Sequence, residues 1–217
     1  MTAQIMAKVE EVGQNARHIA VKAHKAANLL SPYRGPVATA GGYWRDALFG
    51  KTAKDIDFFL LAEQGQYTLS QYQDIAKALV KGVGLDVFSI RTLPCYGEWA
   101  DDIVMLCKVS VDNGPDVDVV FLNASIYGAS TFMEDCLNRF DVRLNSIGAD
   151  VNGWSCNKNL VSDLEEQRLV VHWERLPMCD RMHRRMEYLT GENKFPGWTC
   201  WVESDNSGDR IEPYTCD

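Results

Sequence analysis

A strand with aspartates at alternate positions constrains this chain more than any other feature of its sequence. The segment from Asp55 to Leu61 reads Asp-Ile-Asp-Phe-Phe-Leu-Leu, and its first residues alternate as those of a half-buried strand do. Because successive side chains of a strand point to opposite faces of the sheet, Asp55 and Asp57 share one face. That geometry can hold one or two magnesium ions, which prefer oxygen ligands.

A pair of glycines precedes this strand. Gly41 and Gly42 stand between a short apolar segment, predicted as a strand from Val37 to Ala40, and a helix predicted from Tyr43 to Phe49. Glycines let the backbone approach a phosphate closely, and a helix N-terminus offers it free N–H groups. Since phosphoryl transfer depends mainly on positioning and on neutralising a polyanion, the glycines and the paired carboxylates together suit that reaction.

A second acidic strand offers a third carboxylate. Val104 to Val111 and Val117 to Leu122 are predicted strands, joined by a hairpin turn from Asp112 to Pro115. Asp116 and Asp118 stand at alternate positions and so point the same way. We favour Asp118 as a metal ligand because it lies inside the apolar run, whereas Asp116 adjoins the turn; the choice between them stays open.

Two motifs resemble those of a known family. Residues 41–57 read Gly-Gly-x-x-Arg-Asp-x-x-x-Gly-x-x-x-x-Asp-Ile-Asp. This pattern resembles the signature of nucleotidyltransferases of the DNA-polymerase-beta superfamily, and most of all the head of tRNA CCA-adding enzymes and poly(A) polymerases. The segment from Arg139 to Ser146 resembles that family's Arg-Arg-Asp-Phe-Thr-Ile-Asn-Ala motif, with Asp141 and Asn145 matching and Phe140 in place of an arginine.

The resemblance implies the nucleotidyltransferase fold. This is an α+β fold (α/β-like) in which a small, twisted mixed sheet is flanked by helices and followed by a short helical neck. The implied domains are a catalytic head with an N-terminal helix at residues 1–138, and a helical neck with an irregular C-terminal tail at residues 139–217.

The same resemblance implies an activity and a set of site residues. The chain would move a nucleoside monophosphate from an NTP to an acceptor hydroxyl and release pyrophosphate, with Mg²⁺ or Mn²⁺ as cofactor. The catalytic metal ligands would be Asp55, Asp57 and Asp118. The residues assigned to the nucleotide come from the glycine turn, the helix after it, the second motif and the neck: Gly41, Gly42, Arg45, Asp46, Asp141, Asn145, Asp180 and Arg184.

The predicted neck departs from the family's pattern. The family carries Glu-Asp-x-x-Arg on a neck helix that reads the incoming base. Here the run from Cys179 to Arg184 lacks the glutamate and has His183 where the arginine belongs. Asp180 and Arg184 are still one helical turn apart and can act as a pair. The family's tRNA-holding body and tail domains have no room here, so the chain resembles the small stand-alone forms that bacteriophages carry.

The net charge of the chain bears on which molecule accepts the nucleotide. The 217 residues include 22 Lys and Arg against 30 Asp and Glu, a formal net charge of −8. Proteins that grip a long nucleic acid usually show a basic face instead. The head-to-neck motif nevertheless favours RNA, such as a tRNA 3′ end. The alternatives are nucleotidylation of a protein or small molecule, and a catalytically silent nucleotide-binding regulator, against which the intact Asp55 and Asp57 argue.

The sequence also bears on location. It contains no apolar run of the length that a membrane-spanning helix needs and no signal-peptide pattern at its N-terminus. Its seven cysteines include no Cys-x-x-Cys pair. We therefore expect reduced thiols, no membrane partner and a cytoplasmic location, in the host cytoplasm if a phage encodes the chain. The oligomeric state is not predicted.

Overall fold

Helices and strands alternate along the described part of the chain, which in the computed structural model comprises residues 2–93, 102–172, 179–190, 194–203 and 211–214. The helices are α1 (Thr2–Leu30), α2 (Gly42–Leu48), α3 (Leu69–Gly82), α4 (Phe132–Asn138), α5 (Leu160–Glu165) and α6 (Cys179–Thr190), with a 3₁₀ helix at Arg143–Asn145. The strands are β1 (Val37–Ala40), β2 (Asp55–Ala62), β3 (Val87–Leu93), β4 (Ile103–Val111), β5 (Asp116–Asn123), β6 (Ile147–Ala149), β7 (Trp154–Cys156), β8 (Arg168–Val171), β9 (Thr199–Glu203) and β10 (Ile211–Pro213).

A seven-stranded mixed sheet forms the centre of the molecule. Its strand order is β3-β4-β5-β2-β1-β6-β7, and β2 and β5 run parallel while its other neighbouring strands run antiparallel. Parallel neighbours need a long crossover, which α3, β3 and β4 supply here. The strands β10-β9-β8 form a second, smaller sheet. The mixed sheet with helices packed on it confirms the predicted α+β fold class.

The two faces of the central sheet bury different side chains. Ile56 and Phe58 of β2 lie in the larger hydrophobic core, to which α1 and α3 contribute. Phe59 points the other way, into a smaller core with residues of α4. Because side chains alternate along a strand, Asp55 and Asp57 lie on the same face as Phe59. Both aspartates remain partly exposed there.

The elements differ from the sequence predictions in places. The sequence predicts Ser70 as the N-cap of a helix that runs to Val80, whereas in the structure Thr68 caps α3, since its side-chain oxygen accepts the N–H of Gln71. The sequence from Val142 to Ala149 predicts a helix, and this prediction is wrong, because a 3₁₀ helix is followed there by β6. Pairing of β6 with β1 is a long-range contact that overrides the local helical pattern.

The second half of the chain is shared between the two sheets. β6 and β7 follow residue 138 yet belong to the central sheet, whereas β8, β9 and β10 form the smaller one. The domain boundary after residue 138 stays a prediction. Among the described helices, none has the length and apolar character that crossing a bilayer requires. In the described residues the thiols of Cys107, Cys136 and Cys156 are free.

Gly148 lies on β6 in close contact with the backbone of β1. A Cβ at this position would lie 2.4 Å from the backbone oxygen of Thr39 and 2.5 Å from the Cβ of Ala40. Because the backbone cannot give way as the tip of a long side chain can, we expect Gly148→Ala to lower the free energy of unfolding by about 2 kcal/mol. Urea titration followed by circular dichroism measures this loss.

Gly153 provides the matched control, since a Cβ there would meet no atom within 4 Å. We expect Gly153→Ala to leave the urea midpoint nearly unchanged. An equal loss of stability in both variants would contradict the close approach of β6 to β1.

Candidate active site

The aspartates predicted as metal ligands lie side by side on two neighbouring strands. The parallel pairing of β2 with β5 places Asp55 opposite Asp116 and Asp57 opposite Asp118. Neighbouring strands lie about 4.8 Å apart, so opposite side chains on one face are neighbours. The structure therefore brings Asp55, Asp57 and Asp118 onto one patch of the sheet. Asp116 shares that face and is the most exposed of the four.

This carboxylate patch has the donor chemistry of a hard divalent cation. Mg²⁺ and Mn²⁺ prefer carboxylate oxygens, and each strand contributes them at alternate positions. Within the described residues, no three His, Cys, Asp or Glu side chains already converge as the ligands of one metal ion. The donor type thus fits such a cation, and the side chains of the patch would have to turn toward it.

Lys108 is a residue of this patch that sequence reasoning missed. Its Nζ donates to Oδ2 of Asp118 at 2.6 Å, across the antiparallel pairing of β4 with β5. Its neighbours Cys107 and Val109 point into the larger core, which sends Lys108 to the carboxylate face. The signal in the sequence was a single cation in the strand before the acidic one. That signal becomes specific only when the strand register is known.

One row of residues crosses the central sheet through this ion pair. The strand registers align cationic, acidic and small residues in that order, and the row runs from β3 to β6 through Arg91, Lys108, Asp118, Asp57, Ala40 and Gly148. The two aspartates of the row therefore have cations on one side and a closely packed backbone on the other.

Gly41 places the turn after β1 directly against Asp57. Its φ of +108° lies in the region that favours glycine. A Cβ here would lie 2.9 Å from Oδ2 of Asp57 and 2.9 Å from Cε1 of Phe140. The Gly41 N–H donates to the backbone oxygen of Ile147 at 3.2 Å. The N–H groups of Gly42 and Tyr43 at the start of α2 have no intrahelical acceptor, whereas that of Trp44 donates to the Gly41 oxygen at 3.1 Å.

Arg45 and Asp46 take part in a buried polar cluster beneath this turn. The Nε and Nη2 of Arg45 each lie 2.8 Å from Oδ1 of Asp46, and its Nη1 donates to Oδ1 of Asn145 at 2.8 Å. Lys194 donates to Oδ2 of Asp46 at 2.7 Å. These bonds join α2 to the second motif and to the C-terminal region. Sequence reasoning missed Lys194, for which no local pattern gave a signal.

The second motif places Asn145 within reach of this cluster. Asn145 is fully buried, and its Nδ2 has no hydrogen-bond partner among the described residues. Asp141 is half-buried, and its backbone oxygen accepts the N–H of His172 at 3.0 Å. Farther along the chain, Arg184 is exposed on α6, whereas the side chain of Asp180 lies outside the described part of the structure.

Arg143 connects the second motif to the smaller sheet. Its buried guanidinium places Nη2 2.9 Å from Oδ2 of Asp163 on α5, and Nη1 3.5 Å from Oε1 of Glu203 on β9. Arg168 lies 3.3 Å from the same Asp163. Burial raises the pKa of Asp163 to about 6, while the two arginines act to lower it. The 3₁₀ helix that carries Asn145 is thereby tied to both α5 and β9.

Comparison with known proteins identifies the fold. No protein-family model matches the sequence, and no curated protein matches it. A solved structure of a CCA-adding enzyme with CTP matches with a TM-score of 0.54 at 17% identity, over 88% of this chain and 42% of that one. A CCA-adding enzyme with ATP gives 0.53 at 16% identity, over 83% and 39%.

A tRNA-processing enzyme complex gives a TM-score of 0.52 at 17% identity, over 84% of this chain and 43% of that one. The chain thus spans about two-fifths of the length of these enzymes. At such identities the similarity defines the fold. The chain has the nucleotidyltransferase fold, as the two motifs predicted.

Asp163 tests how far the second motif depends on buried ion pairs. We expect Asp163→Asn to lower the free energy of unfolding by about 3 kcal/mol, because it removes the nearer of the two buried carboxylates that pair with Arg143 and also a partner of Arg168. Chemical denaturation of parent and variant measures the difference. Glu166→Gln is the control, since Glu166 pairs with Arg168 at 2.8 Å from an exposed position, and such pairs contribute about 1 kcal/mol or less. Equal effects of the two substitutions would contradict this account.

Proposed function

We propose that the chain is a metal-dependent nucleotidyltransferase, which moves a nucleoside monophosphate from an NTP to an acceptor hydroxyl. The observation that carries the proposal is the alignment of Asp57 with Asp118 across β2 and β5, with Gly41 packed directly against Asp57. In the reaction, the acceptor oxygen bonds to the α-phosphorus and the bond from that phosphorus to the bridging oxygen breaks. Pyrophosphate leaves, and the proton of the hydroxyl is released.

The carboxylate patch would hold the divalent cation. Asp55 and Asp57 are the first two proposed ligands, and Asp118 is preferred to Asp116 as the third because it lies opposite Asp57 and is less exposed. Like charges on one face repel each other, which favours a cation between them. A bound Mg²⁺ or Mn²⁺ supplies neutralisation of the phosphoryl charge and activation of the acceptor hydroxyl.

The turn and the cluster beneath it would hold the nucleotide. The N–H groups of Gly42 and Tyr43 are proposed to bind the triphosphate, together with the turn at Gly41. Arg45 and Asp46 would act mainly by positioning this turn, since their charged groups already bind each other and Asn145. A buried, unpaired amide donor costs roughly 1–3 kcal/mol. Asn145 and Asp141 are proposed to contact the sugar, and because Nδ2 of Asn145 is fully buried, that contact requires the packing around it to open when the nucleotide binds.

The acceptor is proposed to be RNA, such as a tRNA 3′ end. This rests on the resemblance of the two motifs and on the fold shared with CCA-adding enzymes, two of which were solved with CTP and ATP. The net charge of −8 favours the second candidate, nucleotidylation of a protein or small molecule. A stand-alone, phage-type form working in the cytoplasm stays part of the proposal.

Nucleotide transfer tests the proposed activity directly. The parent chain, incubated with Mg²⁺ and each α-labelled NTP, should label bulk tRNA. Asp57→Asn should lower the rate by about a thousandfold, as loss of a group that stabilises transition-state charge does. Asp112→Asn, which removes an exposed carboxylate from the turn between β4 and β5, should keep full activity.

Three outcomes separate the candidates. Label on protein from a cell lysate, with tRNA unlabelled, supports the second acceptor class. An NTP that raises the melting temperature in the presence of Mg²⁺ without any transfer supports the silent regulator. Full activity of Asp57→Asn contradicts the assignment of the catalytic site.

Base selection is proposed to lie on α6. Arg184 is exposed there and offers donors for a base edge, and Asp180 is its proposed partner. Incorporation of the four NTPs by parent and Arg184→Ala measures the preference. We expect the ratio of incorporation rates between the preferred NTP and the others to fall at least about tenfold in the variant. A wrong base leaves buried polar groups unpaired, and this discriminates strongly between bases. A preference that survives the substitution would place the selecting groups elsewhere.

A further inference from the structure

A cation of the protein itself already lies on the third proposed metal ligand. Nζ of Lys108 is 2.6 Å from Oδ2 of Asp118, which is within direct ion-pair contact. A divalent ion at the same carboxylate would lie within a few ångströms of this ammonium, so the two positive charges would repel each other at short range. The two cations therefore compete for Asp118.

The fold holds Lys108 in this position. Its neighbours Cys107 and Val109 are 0% and 1% exposed, so β4 cannot rotate the lysine away from the carboxylate face. The register places Lys108 directly opposite Asp118. The side chain of Lys108 is nevertheless 39% exposed, compared with 16% for Asp118. The ammonium can thus leave by rotation of its flexible stem, without any movement of the strand.

We propose that Lys108 is a positioning residue that neutralises and orients Asp118 until a divalent cation displaces it. The inference rests on the proposed function, because it takes Asp118 as a ligand of the catalytic cation. In the absence of metal, Lys108 offsets the repulsion between Asp118 and the opposite Asp57. When the metal binds, Asp118 becomes a ligand and the ammonium is released beside the patch, where it can face the incoming phosphates.

Binding of Mn²⁺ to the full chain without nucleotide tests this competition, with free Mn²⁺ measured by its EPR signal. Lys108→Met keeps most of the stem and removes the competing charge. We expect it to tighten Mn²⁺ binding about threefold to fivefold, the range that corresponds to a partly exposed ion pair. Thermal melts of both proteins show whether the variant is folded, and Lys108→Gln provides a second uncharged variant.

Two controls separate competition from a general effect of charge. Arg91→Met removes the same charge from the next position of the row, one strand farther from Asp118, and should change Mn²⁺ affinity by less than about twofold. In an Asp118→Asn background, Lys108→Met should no longer tighten binding, because the contested oxygen has lost its charge.

The inference is overturned by unchanged or weaker Mn²⁺ binding in Lys108→Met, by equal gains in Lys108→Met and Arg91→Met, or by a gain that persists with Asp118→Asn. A parent chain that binds no Mn²⁺ at millimolar concentration overturns it as well. The Mn²⁺ measurements and the transfer assay can fail independently. If the Mn²⁺ affinities follow the expected pattern but no nucleotide is transferred, the proposed enzyme activity is contradicted. If nucleotide is transferred but the affinities of the variants are unchanged, only the role of Lys108 is contradicted.

Discussion

The parallel pairing of β2 with β5 is the contact on which the rest of the site depends. It sets Asp57 opposite Asp118 on one face. The repulsion between these two like charges destabilises the same pairing. What holds the register is the other face, where Phe58 and Val119 are completely buried. A slip of one residue would carry aspartates into the larger core, which is far more costly than their mutual repulsion. The hydrophobic face thus enforces an arrangement that the charged face would not adopt by itself.

Buried polar contacts then connect this patch to parts of the chain that are far away in sequence. Arg45 binds Asn145, and Arg143 binds Asp163 and Glu203, so the glycine turn, the 3₁₀ helix and the smaller sheet are joined through guanidinium groups. Such groups are poor contributors to net stability, because desolvation offsets much of their attraction. Their directional bonds instead hold the turn in one position, which a site for a polyanion requires.

Sequence reasoning reached the fold class and the strand carrying Asp55 and Asp57, and it missed β3 and the lysine on β4. The reason for missing the lysine is the register. A symmetric turn centred between Asn113 and Gly114 would pair Lys108 with Val119, whereas the observed pairing is with Asp118. A shift of one residue moves a side chain to the other face, and no local pattern resolves it. The helix predicted from Val142 to Ala149 failed for a related reason, because pairing with β1 outweighs local preference.

By itself, the sequence determined the features that local backbone geometry dictates. Asp55 and Asp57 share a face because a strand alternates, and the glycines at 41 and 42 permit the turn because they lack a Cβ. Only the tertiary structure decided which charges meet. Arg45 and Asn145 are separated by 100 positions, and Asp46 and Lys194 by 148. Contacts across such distances depend on how whole elements pack, and packing is set by the buried faces of many segments together.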